Sequence, residues 1–236
     1  MSANKPAVRY LPYQPESVAR ALAALLEKAA RERGVASLAI PGGRTPAPVL
    51  TALAGQLSAA TLQNLVLLWL DERAVPLGHA DRNDAATLKA WSLGGALPAR
   101  VLAMPAERPD LEAARVEYAT TLKQALGGHP IDACFIGIGE DGHFASLFPD
   151  HPALDAGGEV LAIYDSPKPP PRRLTLSLPM IRAARQRFVV ALGAEKGRIF
   201  LRASQGPDRK VPVSLLPEEG TEWRLDDEAQ QAARGG

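Results

Sequence analysis

His143 stands two residues beyond Asp141 in the stretch Gly137-Ile-Gly-Glu-Asp-Gly-His143. An imidazole titrates near neutrality and can take and return a proton, and a carboxylate so close can orient the ring or stabilise its charge. The competing reading is a helix-capping histidine; a place among other polar segments favours proton transfer. His79, His129 and His151 have no comparable setting and read as surface or loop residues. Gly42-Gly43-Arg44-Thr45 offers different chemistry, the holding of an anion. Glycines let backbone N–H groups approach a ligand, a following helix adds partial positive charge, and Thr45 adds a hydroxyl donor. An ordinary tight turn between strand and helix accounts for the same residues.

Asp71-Glu72-Arg73 reads either as a surface salt-bridge cluster of little energetic value or as an arginine aimed at an anion or a developing oxyanion. Asp71, Asp141 and His143 could form a facial metal set, but the same acids and cations serve acid–base chemistry equally well, so no metal is assigned. Gly137, Gly139 and Gly142 match the dinucleotide pattern G-x-G-x-x-G, with Asp165 near the distance expected of a ribose-binding acid. Glu140 and Asp141 would put carboxylates where a pyrophosphate must lie, and Pro149 and Pro152 cut short the helix that should follow. That reading is therefore set aside. Ser166-Pro-Lys-Pro-Pro-Pro-Arg-Arg173 reads either as a polyproline segment for a partner domain or as a substrate loop; the second is preferred, because rigid prolines would aim Lys168 and Arg173 at a phosphate. Ser146 lacks a nucleophile-elbow context and Cys134 lies within an apolar run, so neither reads as a covalent nucleophile.

The elements that must position these residues are legible as four apolar runs, at 37–40, 65–70, 133–136 and 188–192. None alternates with polar residues, which suits strands covered on both faces of a parallel sheet. Val18, Ala21, Leu22, Leu25 and Ala29 fall at helical spacing before a stop at Gly34, and Leu111, Ala114, Tyr118, Leu122, Ala125 and Leu126 form a second stripe ended by Gly127-Gly128. A third helix is expected from Lys196 to Ser204. Strand and helix in alternation predict an open α/β sheet. Each run ends in a polar segment: 41–46, 71–76, 137–143 and 193–196. In such sheets ligands bind outside the carboxyl ends of the strands, so the four segments should converge on one crevice. Residues 151–180 are broken by prolines and glycines around two possible strands, 159–164 and 173–178, and are expected to form a loop or small β-lid within a single domain spanning 1–236. The tail after Asp227 is expected to fray.

Composition narrows the class further. Lys+Arg 27 against Asp+Glu 26 gives a formal charge of +1, which leaves no general electrostatic footprint for nucleic acid or an anionic membrane. The single cysteine excludes a disulfide framework and a multi-cysteine zinc site. No run approaches the ~18 apolar residues of a membrane span, and the first ten residues lack a signal-peptide core. A soluble, cytoplasmic protein is expected, as a monomer or weak homodimer.

Taken in order, Pro41-Gly-Gly-Arg-Thr-Pro46, Asp71-Glu-Arg73 with Val75-Pro76 and Asn83, and the block Gly137-Ile-Gly-Glu-Asp-Gly-His-Phe-Ala-Ser-Leu-Phe-Pro149 resemble the glucosamine-6-phosphate isomerase/6-phosphogluconolactonase family, on its lactonase side. So do Pro167-Lys-Pro-Pro170 with Arg173-Leu-Thr175, Gly193 to Lys196, and Trp223. The resemblance implies a Rossmann-like three-layer α/β/α fold with a mostly parallel sheet and a small β-rich extension. It implies hydrolysis of 6-phosphoglucono-δ-lactone to 6-phosphogluconate in the pentose phosphate pathway, without a cofactor. The catalytic histidine falls on His143, the neighbouring acid and arginine positions on Asp71, Arg73 and Asp141, and the phosphate-binding positions on Gly42, Gly43, Thr45, Lys168, Arg173 and Lys196, with Arg44 as an extra contact.

This chain has Arg44 and Arg82 where serine is common, Phe144 for threonine and Asp150 for glycine. The related glucosamine-6-phosphate deaminase carries a ring-opening glutamate where this sequence has Phe148, and a phenylalanine cannot transfer a proton. That enzyme and a non-catalytic sugar-phosphate sensor are the two alternatives.

Overall fold

The computed structural model describes residues 9–234. The amino-terminal stretch read above for a leader falls largely in residues 1–8, which lie outside the described residues, as do the last two.

The chain enters through a short strand, β1 (Tyr10–Pro12), and helix α1 (Pro15–Arg33). Val18, Leu22, Leu26, Ala29 and Ala30 recur on one face of α1 and are buried, and Gly34, in the left-handed region at φ 68°, closes the helix by donating its N–H to Ala30 O at 2.9 Å. There follow β2 (Ala36–Ile40), α2 (Ala47–Ala54), α3 (Ala59–Asn64), β3 (Leu65–Trp69), β4 (Asp71–Arg73), α4 (Asn83–Ser92), β5 (Arg100–Leu102) and α5 (Leu111–Leu126). The Asp110 carboxylate caps α5 by accepting from Ala113 N at 3.0 Å, and Gly127 ends it at φ 59°. Beyond lie β6 (Ala133–Gly137), β7 (Val160–Ile163), β8 (Arg173–Leu176), α6 (Leu178–Arg182), β9 (Gln186–Ala191), α7 (Ala194–Ala203), β10 (Thr221–Leu225) and α8 (Asp227–Arg234).

The four apolar runs become β2, β3, β6 and β9, adjacent in a seven-stranded sheet of order β1-β10-β9-β6-β2-β3-β5 whose strands all pair parallel. Their lack of alternation now has its cause. Leu65, Leu67 and Trp69 face α1, α2 and Trp91 in one core, while Val66, Leu68 and Leu70 face the other core, which includes Tyr118, Leu122 and Phe200. Each side chain buried completely in this way contributes roughly 1.5–3 kcal/mol relative to exposure. Three strands of this sheet escape the sequence reading for a physical reason: β1 and β5 are three-residue edges, and β10 carries Glu222 and Arg224 between its apolar residues.

Residues 151–180 hold β7 and β8, as expected, but they join β4 in a three-stranded antiparallel sheet. Leu174, Leu176, Val160 and Ile163 belong to the main core, so this unit is a packed extension. The expectation of a frayed tail is overturned. Residues 227–234 form α8, with Ala229 fully buried against α7, where Gly197 gives it room: a Cβ at Gly197 would come within 2.8 Å of the Ala229 Cα. Among the described residues no helix is long and apolar enough to cross a membrane.

Candidate active site

The chain leaves β2 toward β3 on one side of the sheet and returns with β6 on the other, so β2 and β6 flank the point where strand order reverses. A crevice must open there, between the loops at the carboxyl ends. It is a cleft of about 170 Å³ lined by Gly42, Gly43 and Thr45 after β2, Asp71 and Arg73 of β4, Gly139, His143 and Ala145 after β6, and Arg173 of β8, with Asn83 at the start of α4. A larger cavity of about 260 Å³ lies beside Thr221 at the amino end of β10, and its walls hold no histidine.

The loop after β6 is built around its glycines. Gly139 N donates to His143 O at 2.8 Å, Gly142 takes φ 81° and donates to Gly139 O at 3.1 Å, and Val213 N holds the Gly142 carbonyl at 3.0 Å. Ala145, which lines the cleft, sits at φ 50°, a conformation that costs an L-residue roughly 1–2 kcal/mol. Asp150, where the resemblance expects glycine, sits at φ 56°; aspartate is among the residues that tolerate this region. No helix follows β6 through residue 151, so the glycine pattern there lacks the structure that dinucleotide binding requires.

His143 is held on three sides. Its Nδ1 is hydrogen-bonded to Asp141 Oδ1, which also accepts the His143 backbone N–H at 3.2 Å. The Phe148 ring, itself buried, lies 4.7 Å from the imidazole centroid at an interplanar angle of 32°. The Gly139 backbone lies against the ring, and a Cβ there would overlap Cε1 and Nδ1. With Asp141 accepting from Nδ1–H, the neutral ring carries its lone pair on Nε2. Burial pushes the Asp141 carboxyl up, but the His143 hydrogen bond and the charges of His143 and Lys168 override it and hold the group well below the usual carboxylate range. Lys168 Nζ lies 3.8 Å from Asp141 Oδ2. The partner of His143 is thus Asp141, a choice the sequence leaves open.

Asp71 serves different groups. Its carboxylate accepts from Ser146 Oγ at 2.6 Å and Asn83 Nδ2 at 3.2 Å and pairs with Arg173 at 3.6 Å. Glu72 is buried beside it, so the Asp-Glu-Arg segment is a largely buried edge strand of the small sheet and not a surface cluster. Arg173 Nη2 donates to the carbonyls of Lys168 at 2.9 Å and Pro169 at 3.2 Å, and its Nε donates to Pro170 O at 3.1 Å. The guanidinium therefore pins the proline-rich loop from inside while its edge reaches the cleft; its Cζ lies 5.7 Å from the Phe148 ring centroid. Arg73 donates from Nη1 to Asp81 O at 2.8 Å, and its Nε is buried with no partner among the described residues. Nor does a protein acceptor among those residues take the N–H of Gly42, Gly43 or Thr45. These donors suit an anionic ligand.

Of the residues picked out in the sequence, Gly42, Gly43, Thr45, Asp71, Arg73, His143 and Arg173 meet in the cleft, and Asp141 and Lys168 stand behind the imidazole. Arg44 is exposed, and Lys196 is half-exposed in the first turn of α7; neither lines the cleft. Asn83, Ser146 and Phe148 are drawn into the site without having been assigned to it. All three lie in the motif blocks, but the contacts of Asn83 and Ser146 with Asp71, and of Phe148 with Arg173, join separate segments. Cys134 is buried in β6 with its thiol pushed up to about 12 by burial, against the opposing charge of Arg187, which is the wrong direction for a nucleophile.

An open parallel α/β sheet thus brings an imidazole–carboxylate pair and a turn of unpartnered backbone N–H groups together at its reversal point, the arrangement of a candidate enzyme site. The model of the family described as glucosamine-6-phosphate isomerases/6-phosphogluconolactonase matches residues 14–224, and the chain belongs to that family. It is 37% identical over 205 residues to the 6-phosphogluconolactonase of Streptomyces coelicolor, covering 81% of this chain and 78% of that one. The fold is that of the 6-phosphogluconolactonase of Thermotoga maritima, with a TM-score of 0.82 at 23% identity over 94% of this chain and 99% of the other. A monomeric glucosamine-6-phosphate deaminase shares it too, with a TM-score of 0.76 at 20% identity over 96% and 99% of the two chains. Fold alone therefore does not separate the two activities.

Proposed function

We propose that this chain, as one catalytic domain spanning 1–236, hydrolyses 6-phospho-D-glucono-1,5-lactone to 6-phospho-D-gluconate, the lactone-opening step of the oxidative pentose phosphate pathway. The observation that carries the reading is the His143 imidazole, held by Asp141 and lining the same cleft as Arg73, in a chain 37% identical to a lactonase. His143 Nε2 takes a proton from water, and the resulting hydroxide attacks C1 of the lactone. The carbonyl oxygen becomes an oxyanion, stabilised by the Arg73 guanidinium. When the tetrahedral intermediate collapses, the C1–O5 bond breaks and His143 returns its proton to O5, leaving the C5 hydroxyl; the new carboxylic acid then ionises. Asp141 holds the imidazole's tautomer and balances its charge at the intermediate stage.

The phosphate is held at the far end by the free N–H groups of Gly42, Gly43 and Thr45 with Arg173 on the cleft wall, while Lys168, behind the imidazole, and Arg44 and Lys196, outside the cleft, add positive charge at longer range. The partner is a small sugar phosphate and the compartment the cytoplasm.

Phe148 separates this reading from deamination of glucosamine 6-phosphate. The ring beside His143 has no proton to give, whereas ring opening of the amino sugar calls for a carboxyl group there. The deciding experiment makes the lactone in situ with glucose-6-phosphate dehydrogenase and times its disappearance with and without this protein. Acceleration without ammonia release from glucosamine 6-phosphate supports the lactonase. Ammonia release supports the deaminase, and tight 6-phosphogluconate binding with no acceleration supports a sensor.

A further inference from the structure

Asp71 and Arg73 of β4 line the cleft, and Glu72 between them turns to the opposite side, as the two-residue strand period requires. There its carboxylate is 1% exposed, and a buried carboxylate is tolerated only when it is paired and hydrogen-bonded. Its partners are specific. Oε1 accepts from Arg73 N at 2.7 Å and Asn83 N at 2.8 Å, and Oε2 from Asn83 N and Asp84 N, both at 3.1 Å. Arg82 Nη2 lies 3.8 Å away, its own charge shared with Asp84 and Glu107. Burial pushes the Glu72 carboxyl up, while the backbone donors and Arg82 pull the other way.

Two of these donors are the first N–H groups of α4, a helix whose N-cap residue, Arg82, supplies no side-chain cap. Glu72 fills that role from another element, with its negative charge at the positive end of the helix. The residue so fixed is Asn83. Its Nδ2 donates to Asp71 O at 2.8 Å as well as to the Asp71 carboxylate, and its side chain fills the space beside Gly42, where an added Cβ would come within 2.8 Å of the Asn83 Cβ and overlap its amide. One buried carboxylate thus ties β4, α4 and the glycine turn together.

We infer that Glu72 is a positioning residue: through Asn83 and the Arg73 backbone it sets the spacing between the anion-binding turn and the groups at the reacting end. For its kinetic readout the inference rests on the lactonase reading, while its structural half is measured without turnover. Glu72→Gln keeps the shape but places an NH2 group where a carboxylate oxygen accepts. This variant should lower kcat/KM by about 10²-fold, the scale of a misplacement near 1 Å. A role in stability alone would give losses that add to those of Asn83→Ala. A role exerted through Asn83 gives a double variant no worse than the poorer single one.

Amide hydrogen exchange at Asn83 and Asp84 should also quicken by about tenfold in Glu72→Gln, as for a lost cap. Additive kinetic losses, a kcat/KM within about twofold of wild type, or unchanged exchange at those two amides would each overturn the inference. If Glu72→Gln does not fold, Asn83→Ala alone decides: a loss of about tenfold or more in kcat/KM supports the linkage, and near-wild-type turnover removes it. If the wild-type protein does not open the lactone at all, the lactonase reading fails, and the exchange measurement still tests the cap.

Discussion

The Gly139 backbone packs directly against the His143 imidazole, so closely that no side chain fits between them, and the Asp141 carboxylate stands 2.8 Å from where a Cβ would sit. Glycine at this position is therefore a requirement of ring placement. Gly139→Ala must push the imidazole away from Asp141 or into Phe148. We expect kcat/KM to fall by about 10²-fold with the fold retained, checked by steady-state kinetics beside thermal unfolding. Unchanged kinetics would show that the ring does not need this seat.

Phe148 covers one face of the same imidazole and also meets the Arg173 guanidinium. Phe148→Ala should destabilise the protein by about 3–5 kcal/mol, the range for emptying a buried aromatic site. Phe148→Leu retains most of the apolar volume but loses the aromatic pair, a contribution of roughly 0.5–1.5 kcal/mol. Its kcat should drop more than its KM rises, because the ring packs on the base at 4.7 Å between centroids and meets the Arg173 guanidinium only at 5.7 Å. Urea unfolding and initial-rate curves measure both; a rise in KM at constant kcat would place Phe148 in substrate binding.

The Asp141 carboxyl titrates below its unfolded value of 3.8, burial being outweighed by the His143 hydrogen bond and by the charges of His143 and Lys168. A group with a depressed folded-state pKa stabilises the fold above its unfolded pKa, and this contribution is lost as pH falls toward the folded one. Asp141→Asn should therefore melt below wild type at about pH 5, and the margin should shrink on acidification below the unfolded value. A melting series over pH tests this, and a margin that widens in acid would contradict the assigned pair.

Much of this arrangement is legible in the sequence, and its limits are physical. The runs at 37–40, 65–70, 133–136 and 188–192 announce strands because both faces are buried, and the polar endings of the first three mark the crevice because parallel strands deliver their carboxyl ends to one edge, whereas none of residues 193–196 lines it. The Asp141–His143 pair is local and was visible as spacing. What sequence does not reveal is how separate elements pair, as Glu72 does with the start of α4 and Asn83 with Gly42, nor that Arg173 turns back onto the carbonyls of its own loop. The tail orders for a related reason, since Ala229 packs where Gly197, more than thirty residues earlier, leaves the room.

The most direct test is the timed opening of enzymatically generated 6-phosphoglucono-δ-lactone by His143→Ala, with spontaneous hydrolysis subtracted. If Nε2 of this imidazole takes the proton from water, the variant should lose about 10²–10⁴ of the rate while keeping its fold and its affinity for 6-phosphogluconate. Turnover at the wild-type rate would mean that another group in the cleft is the base.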